Sequence, residues 1–168
     1  MIRIFLAALA CALLTACASP TTSALEPQNQ ALKGQQAKIY LIRPSAWAGR
    51  FITYDVKIDD KPVGKVAAGS YLSVNRPAGR HKITIKPLLD IASAEHEFQA
   101  DAGQTYYFVV NIKASETAVV SGSFVMAIPI PGTSIGRRVG QRNFLSGIYL
   151  GVLDDAAGQA MLSQLKTP

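Results

Sequence analysis

The residues able to do chemistry are few. The chain holds two histidines, two cysteines and one tryptophan. His81 and His96 each fall in the apolar phase of a strand-like run, near its start. A metal centre needs three or four converging ligands, and spacing sets no third ligand beside either histidine. Glu95 and Glu97 flank His96, but neighbours along a strand point to the opposite face. Both histidines therefore read as partly buried structural residues. Asp59-Asp60 and Asp154-Asp155 are adjacent carboxylate pairs, one at a turn and one at a helix start. Each pair has a local backbone use, so neither reads as a general acid and base. Gly136 and Gly140 are no phosphate loop, since no G-K-[ST] follows. No serine nucleophile is expected. A thiolate is the strongest nucleophile of the set, and of Cys11 and Cys17 the second stands in the more informative context. No metal, cofactor or reaction is expected, and the chain reads as non-enzymatic.

Cys17 closes Leu14-Thr15-Ala16-Cys17 at the end of an apolar run. Met1-Ile2-Arg3 is a positive start, Ile4 to Leu14 is apolar, and small residues follow. That is the three-part layout of a secretory signal. The run is shorter than the roughly 20 residues that span a bilayer. Leu14 to Cys17 resembles the bacterial lipobox. The resemblance implies that the Cys17 thiol takes a diacylglycerol, that cleavage follows Ala16, and that the new amine is open to acylation. The next residue is Ala18 and not Asp, which in Gram-negative lipoproteins goes with the outer membrane. The expectation is a lipid-anchored protein of that membrane, facing the periplasm.

Composition sets outer bounds. The chain has 168 residues and a formal charge of +6, which loses one with Arg3 if residues 1–16 are removed. That mild excess suits anionic lipid or peptidoglycan. It is too dilute for nucleic acid, which secretion also disfavours. With Cys11 removed and Cys17 lipidated, no disulfide is expected, so burial alone must stabilise the domain. Residues 17–36 are rich in Ser, Thr, Pro, Gln and Ala, and read as a disordered tether. Residues 37–168 read as one domain.

From Lys38 the pattern has period two. Lys38 to Arg43 is a strand ended by Pro44. Tyr54, Val56 and Ile58 alternate with Asp55, Lys57 and Asp59. Tyr71 to Val74 is a strand, and His81, Ile83 and Ile85 alternate with Lys82, Thr84 and Lys86. His96, Phe98 and Ala100 form another series. Tyr106, Phe108, Val110 and Ile112 form a series that reads as central in its sheet. Thr117 to Val125 and Gly147 to Leu153 read as further strands. Asp154 or Asp155 can cap a helix over about 155–166, in which Ala157, Ala160, Met161 and Leu165 share a face. Gly158 weakens that helix by about 1 kcal/mol relative to Ala. The predicted fold is mainly β: an antiparallel β-sandwich or open barrel with one C-terminal helix. Trp47, Tyr54 and Tyr40 read as core and edge residues rather than as a glycan-stacking patch.

Asp59-Asp60-Lys61-Pro62-Val63-Gly64, followed by Pro77-Ala78-Gly79-Arg80-His81-Lys82-Ile83, is similar to the D-G-x-x-V-G … P-x-G-x-H-x-[IV] pattern of small bacterial surface β-domains, PEGA-like domains among them. With the lipobox and the Ala37 to Pro44 start, the chain resembles bacterial lipoproteins known only as a domain of unknown function. The resemblance covers about Ala37 to Lys113. It implies an antiparallel sandwich and membrane anchoring, and no reaction. Asp60 stands where the pattern usually has Gly, which leaves the turn type open.

Residues 126–146 are too long for a simple hairpin loop. Ile128 and Ile130 sit among prolines, and Arg137, Arg138 and Arg142 follow. An apolar piece beside a basic one suits a membrane interface. It suits equally a core end-cap with solvated arginines. The leading expectation is a lipid-anchored envelope module that binds or supports another component: protein, peptidoglycan or anionic lipid. The alternative is a carrier for a small apolar or lipid ligand held between the sheets.

Overall fold

The computed structural model describes residues 21–45, 50–87, 93–112, 137–139, 141–142 and 148–165. Two sheets pack face to face. The first contains β1 (Ser23–Ala24), β3 (Tyr54–Ile58), β4 (Lys61–Val66), β6 (Gly79–Pro87), β7 (Ala94–Ala100) and β10 (Gln141–Arg142), in the order β1-β4-β3-β6-β7-β10. The second contains β2 (Gln36–Arg43), β5 (Ser70–Pro77), β8 (Thr105–Ile112), β9 (Arg137–Val139) and β11 (Ile148–Leu153), in the order β5-β2-β8-β11-β9. Among the described residues one helix, α1 (Asp155–Leu162), follows. Among the described residues the strands form two separate sheets and neither closes on itself, as the predicted sandwich requires.

Alternation builds the inner faces. Ile39, Leu41, Val56, Ile58, Leu72, Ile83, Ile85, Phe108, Val110 and Leu150 form one buried cluster between the sheets. β8 is central, as its run of apolar residues requires. One expectation needs correcting. β2 and β8 run parallel, with Ile39 opposite Tyr106 and Leu41 opposite Phe108, so the second sheet is mixed. Alternation specifies which face a residue takes, but not the direction of a partner distant in sequence.

The second sheet is covered on both faces. Its outer face carries Ile42, Tyr107 and Val109, which pack with Leu153, Ala157 and Met161 of the α1 region. Asp154 caps α1 through Ala157 N–H at 2.7 Å. Gly158 is a requirement of this contact rather than a weakness. A Cβ there would lie on the Tyr107 ring, within 2.6 Å of Cδ2. The Tyr107 ring is itself stacked on Tyr40, with centroids 5.3 Å apart and planes 4° from parallel, so it has little room to withdraw. Ala would gain about 1 kcal/mol in helix propensity against about 1–3 kcal/mol of overpacking. Gly158→Ala is therefore expected to lower stability by up to about 2 kcal/mol net, read by urea unfolding.

Residues 21–36, expected as part of a disordered tether, instead pack on the sandwich. β1 pairs with Lys65 and Gly64 of β4. Gly64, at φ +148°, leaves the space that lets Ser23 cross so closely. Further along, Gln28 Oε1 accepts from Ser73 N–H, and Asn29 N–H donates to Ser73 Oγ, both at 2.6 Å. Glu26 takes a two-pronged contact from Arg76 at 2.7 and 2.8 Å. The segment thus covers the outer edges of β4 and β5, where unpaired backbone groups would otherwise face solvent. Its contacts are short backbone pairing and polar side-chain bonds, which hydrophobic patterning does not detect.

Residues 137–142 were expected within a long loop. They supply β9 and β10, the last strands of the second and first sheets respectively. Arg137 and Arg138 lie opposite Val152 and Gly151, and Arg142 lies opposite Ala94. Short, charged outer strands are a common means of closing a sheet edge against further pairing.

Candidate functional site

The strand directions give the sandwich two unlike ends. One carries the tight connections: Asp59-Asp60 between β3 and β4, Ala78 between β5 and β6, and Asp101 to Gln104 between β7 and β8. Asp59 and Asp60 have φ of +53° and +61°, the pattern of a type I′ hairpin turn. Asp thus serves where the resembled pattern has Gly. Pro62 lies inside β4 rather than in the turn, beside a register shift between Val56 and Lys57, as a proline at a bulge can.

The other end carries the described residues 44–45 and 50–53 between β2 and β3, and residues 67–69 between β4 and β5. The N-terminal segment arrives at this end. Thr22 Oγ1 accepts from Ala67 N–H at 2.8 Å and contacts the Ser70 hydroxyl. Ser70 lies opposite Arg43. Arg43, 4 % exposed, donates to the carbonyls of Ile52 and Val66. Its guanidinium lies over the Tyr54 ring, 4.2 Å from the centroid. Burial lowers the Arg43 pKa, with Tyr54 acting the other way. Arginine stays protonated regardless. Arg43 therefore ties β2, β4 and the 50–53 segment together. Just beyond it Phe51 and Ile52 are 71 % and 43 % exposed, and Arg50 stands 4.7 Å over the Phe51 ring.

At the tight end His81 is structural. Nδ1 lies 2.7 Å from Asp59 Oδ2, and Nε2 lies 2.8 Å from the Pro77 carbonyl. Both partners are acceptors, one facing each ring nitrogen. Asp59 Oδ1 also accepts from Lys82 N–H at 3.0 Å. Partial burial alone would raise the Asp59 carboxyl. The Lys82 N–H, the His81 bond and charge, and Arg76 outweigh it and hold the pKa below the usual carboxylate value. The sign follows. A depressed folded pKa gives stability that is present above the unfolded value, about pH 4, and is lost as pH falls through the folded value. Asp59→Asn keeps the turn, because Asn also tolerates positive φ. It should cost on the order of 0.5–1 kcal/mol at pH 7, since Asp59 is 40 % exposed and water screens the pair. That difference should shrink as pH falls below about 4 in urea titrations. A difference independent of pH would contradict the ion pair.

His96 lies on the same sheet, stacked beside Phe98 with planes 11° apart. Among the described residues no group of three His, Cys, Asp or Glu is placed to hold a metal. Tyr54 is core, 2 % exposed, whereas Tyr40 lies on the outer face of the second sheet against Tyr71 and Tyr107. The two tyrosines share no patch, and Trp47 lies outside the described residues.

Cys17, Ile128 and Ile130 lie outside the described residues, as does the strand expected over Thr117 to Val125. For Arg137, Arg138 and Arg142 the backbone is placed, and it divides them between the edges of two sheets. One sequence feature was missed. Gly132-Thr133-Ser134-Ile135-Gly136 has the G-x-S-x-G spacing of a serine nucleophile. That motif works on a sharp turn from strand into helix. Here β9, a strand, begins at the next residue, Arg137, so the required context is missing.

Sequence comparison places a family on this fold. Residues 33–123 match the family described as Protein of unknown function (DUF2846). No curated protein and no solved structure gives a significant match.

Proposed function

Because the chain belongs to this family of unknown function, whose match runs from the start of β2 through β8, we propose a role from the site alone: a lipid-anchored envelope module that binds or supports a neighbour at the membrane surface. The observation that carries it is the route of the N-terminal segment. Residues 22–29 are bound along the sheet edges, with Thr22 at the end opposite the tight connections. The sequence before Thr22 is the signal-like run that ends at Cys17. A lipid on Cys17 would hold the domain close to the bilayer by one end, with its charged outer sheet face turned sideways. Outer-membrane anchoring facing the periplasm, and kinship of the β3–β6 region with PEGA-like domains, belong to the same proposal. Among the described residues no helix is long and apolar enough to cross a membrane.

The carrier alternative needs apolar room between the sheets. Described side chains form one buried cluster in that space, and among the described residues a shallow hollow of about 220 Å³ lies outside it against Glu26, Gln30 and Asn75. Ligand cavities usually run from about 300 Å³ upward. The binding or support role is therefore preferred.

The test is the intact mass of the detergent-extracted protein. The expected species begins at Cys17 and carries two or three acyl chains. A mature chain that begins elsewhere, or lacks lipid, would overturn the proposal. The edge arginines allow a smaller prediction. Replacing Arg137, Arg138 and Arg142 with Ser in a Cys17→Ala background should weaken co-sedimentation with anionic vesicles, at about 1 kcal/mol per arginine that meets headgroups. Unchanged binding would exclude them from the interface.

A further inference from the structure

We infer that the end of the sandwich bearing Phe51 rests on lipid, with Phe51 and Ile52 entering the interface and Arg50 at headgroup level. This orientation rests on the proposed anchor at Cys17. Three large apolar side chains stand exposed among the described residues: Leu25, Phe51 and Ile52. Two of them are adjacent and at one end. Their backbone is held there by the Arg43 bond to the Ile52 carbonyl. The pair is thus presented outward on a fixed support.

The chemistry beside the pair selects the occupant. An aromatic ring capped by a cation suits the bilayer boundary, where the ring sits at headgroup depth and the guanidinium meets phosphate. Arg50 over Phe51 has that arrangement. The connection from Pro44 to Thr53 contains no Asp or Glu, so nothing on it repels an anionic surface. Distance selects the occupant a second time. Thr22 is bonded to Ala67 and Ser70 at this same end. Only five residue steps separate it from Cys17, which span at most about 18 Å when fully extended. A lipid on Cys17 therefore keeps Phe51 near the bilayer and the Asp59-Asp60 end far from it. Leu25 lies midway along the β4 edge, beside Val63, and is not part of this contact.

The experiment uses the full, lipidated protein in vesicles of phosphatidylethanolamine and phosphatidylglycerol. A nitroxide is attached at Thr53→Cys, which keeps Phe51 and Ile52, and in a second sample at Ala102→Cys in the tight end. Collision with oxygen, enriched in lipid, is compared with collision by a water-soluble nickel chelate. The expected oxygen-to-nickel ratio is severalfold higher at 53 than at 102. It should fall to the value at 102 when Phe51→Ser and Ile52→Ser are added. Intact mass of the same samples reports the lipid independently. A lipidated chain with equal ratios at the two positions overturns the inference and leaves the anchor standing. A chain without lipid overturns the anchor and, with it, the orientation inferred from it. A high ratio at 53 that survives the double serine change assigns the contact to other residues and also overturns the inference.

Discussion

Cys17→Ala in the full chain is expected to move the protein almost completely from the membrane to the soluble fraction, measured by fractionating cells and blotting both pools. Magnitudes decide this. Each buried methylene of an acyl chain contributes about 0.8 kcal/mol, and two chains give stable anchoring. Full burial of one Phe or Ile side chain is worth about 1.5–3 kcal/mol, and Phe51 and Ile52 would be only partly immersed. Such a contact orients a protein already tethered and does not retain one that is free. The alanine variant lacks the thiol that carries the lipid. A variant still retained in membranes after carbonate washing would show that the apolar N-terminal run or another surface holds the protein.

The double serine change at Phe51 and Ile52 predicts a different phenotype. With Cys17 intact, the protein should stay in the membrane fraction while its loop end swings free. Retention and orientation are thus separable: one belongs to the lipid, the other to a small apolar contact.

Local regularity made much of this fold legible. β3 and β8 follow from strict alternation, and the buried faces of Tyr54, Val56, Ile58, Phe108 and Val110 match it. The Asp154 cap was readable for the same local reason. What could not be read depends on partners far away in the chain. The parallel pairing of β2 with β8 joins Lys38 to Thr105, and no turn between them signals direction. Tyr107 and Val109 occupy the polar phase of β8 yet are buried, because α1 covers that face. Residues 22–31 look like linker by composition, but Thr22, Gln28 and Asn29 supply hydrogen bonds to β5 and to the turn before it. Arg137 to Arg142 look like a basic loop because charged outer strands carry no apolar alternation. At the candidate site, the apolar pair Phe51-Ile52 was visible as sequence. Its exposure was not, since it depends on Arg43 filling the space beneath.

Arg43 is where stability and presentation meet, and Arg43→Leu is expected to lower stability by about 2–4 kcal/mol, measured by urea unfolding followed by far-UV circular dichroism. The variant removes charge-assisted bonds to two carbonyls, those of Ile52 and Val66. Each such bond is worth about 1.5–3 kcal/mol. The cation over Tyr54 is lost as well, at about 1–2 kcal/mol for a desolvated pair. Leu recovers part of this through apolar burial and through relief of the cost of burying a charge. Arg43→Lys separates these contributions. It keeps the positive charge, but an ammonium cannot reach both carbonyls in the planar, forked geometry of a guanidinium while stacking on a ring. An intermediate loss is expected. If Lys restores full stability, charge alone is what this position requires. If Leu is neutral, the buried guanidinium is no structural tie, and the fixed presentation of Phe51 and Ile52 at the lipid-facing end loses its support.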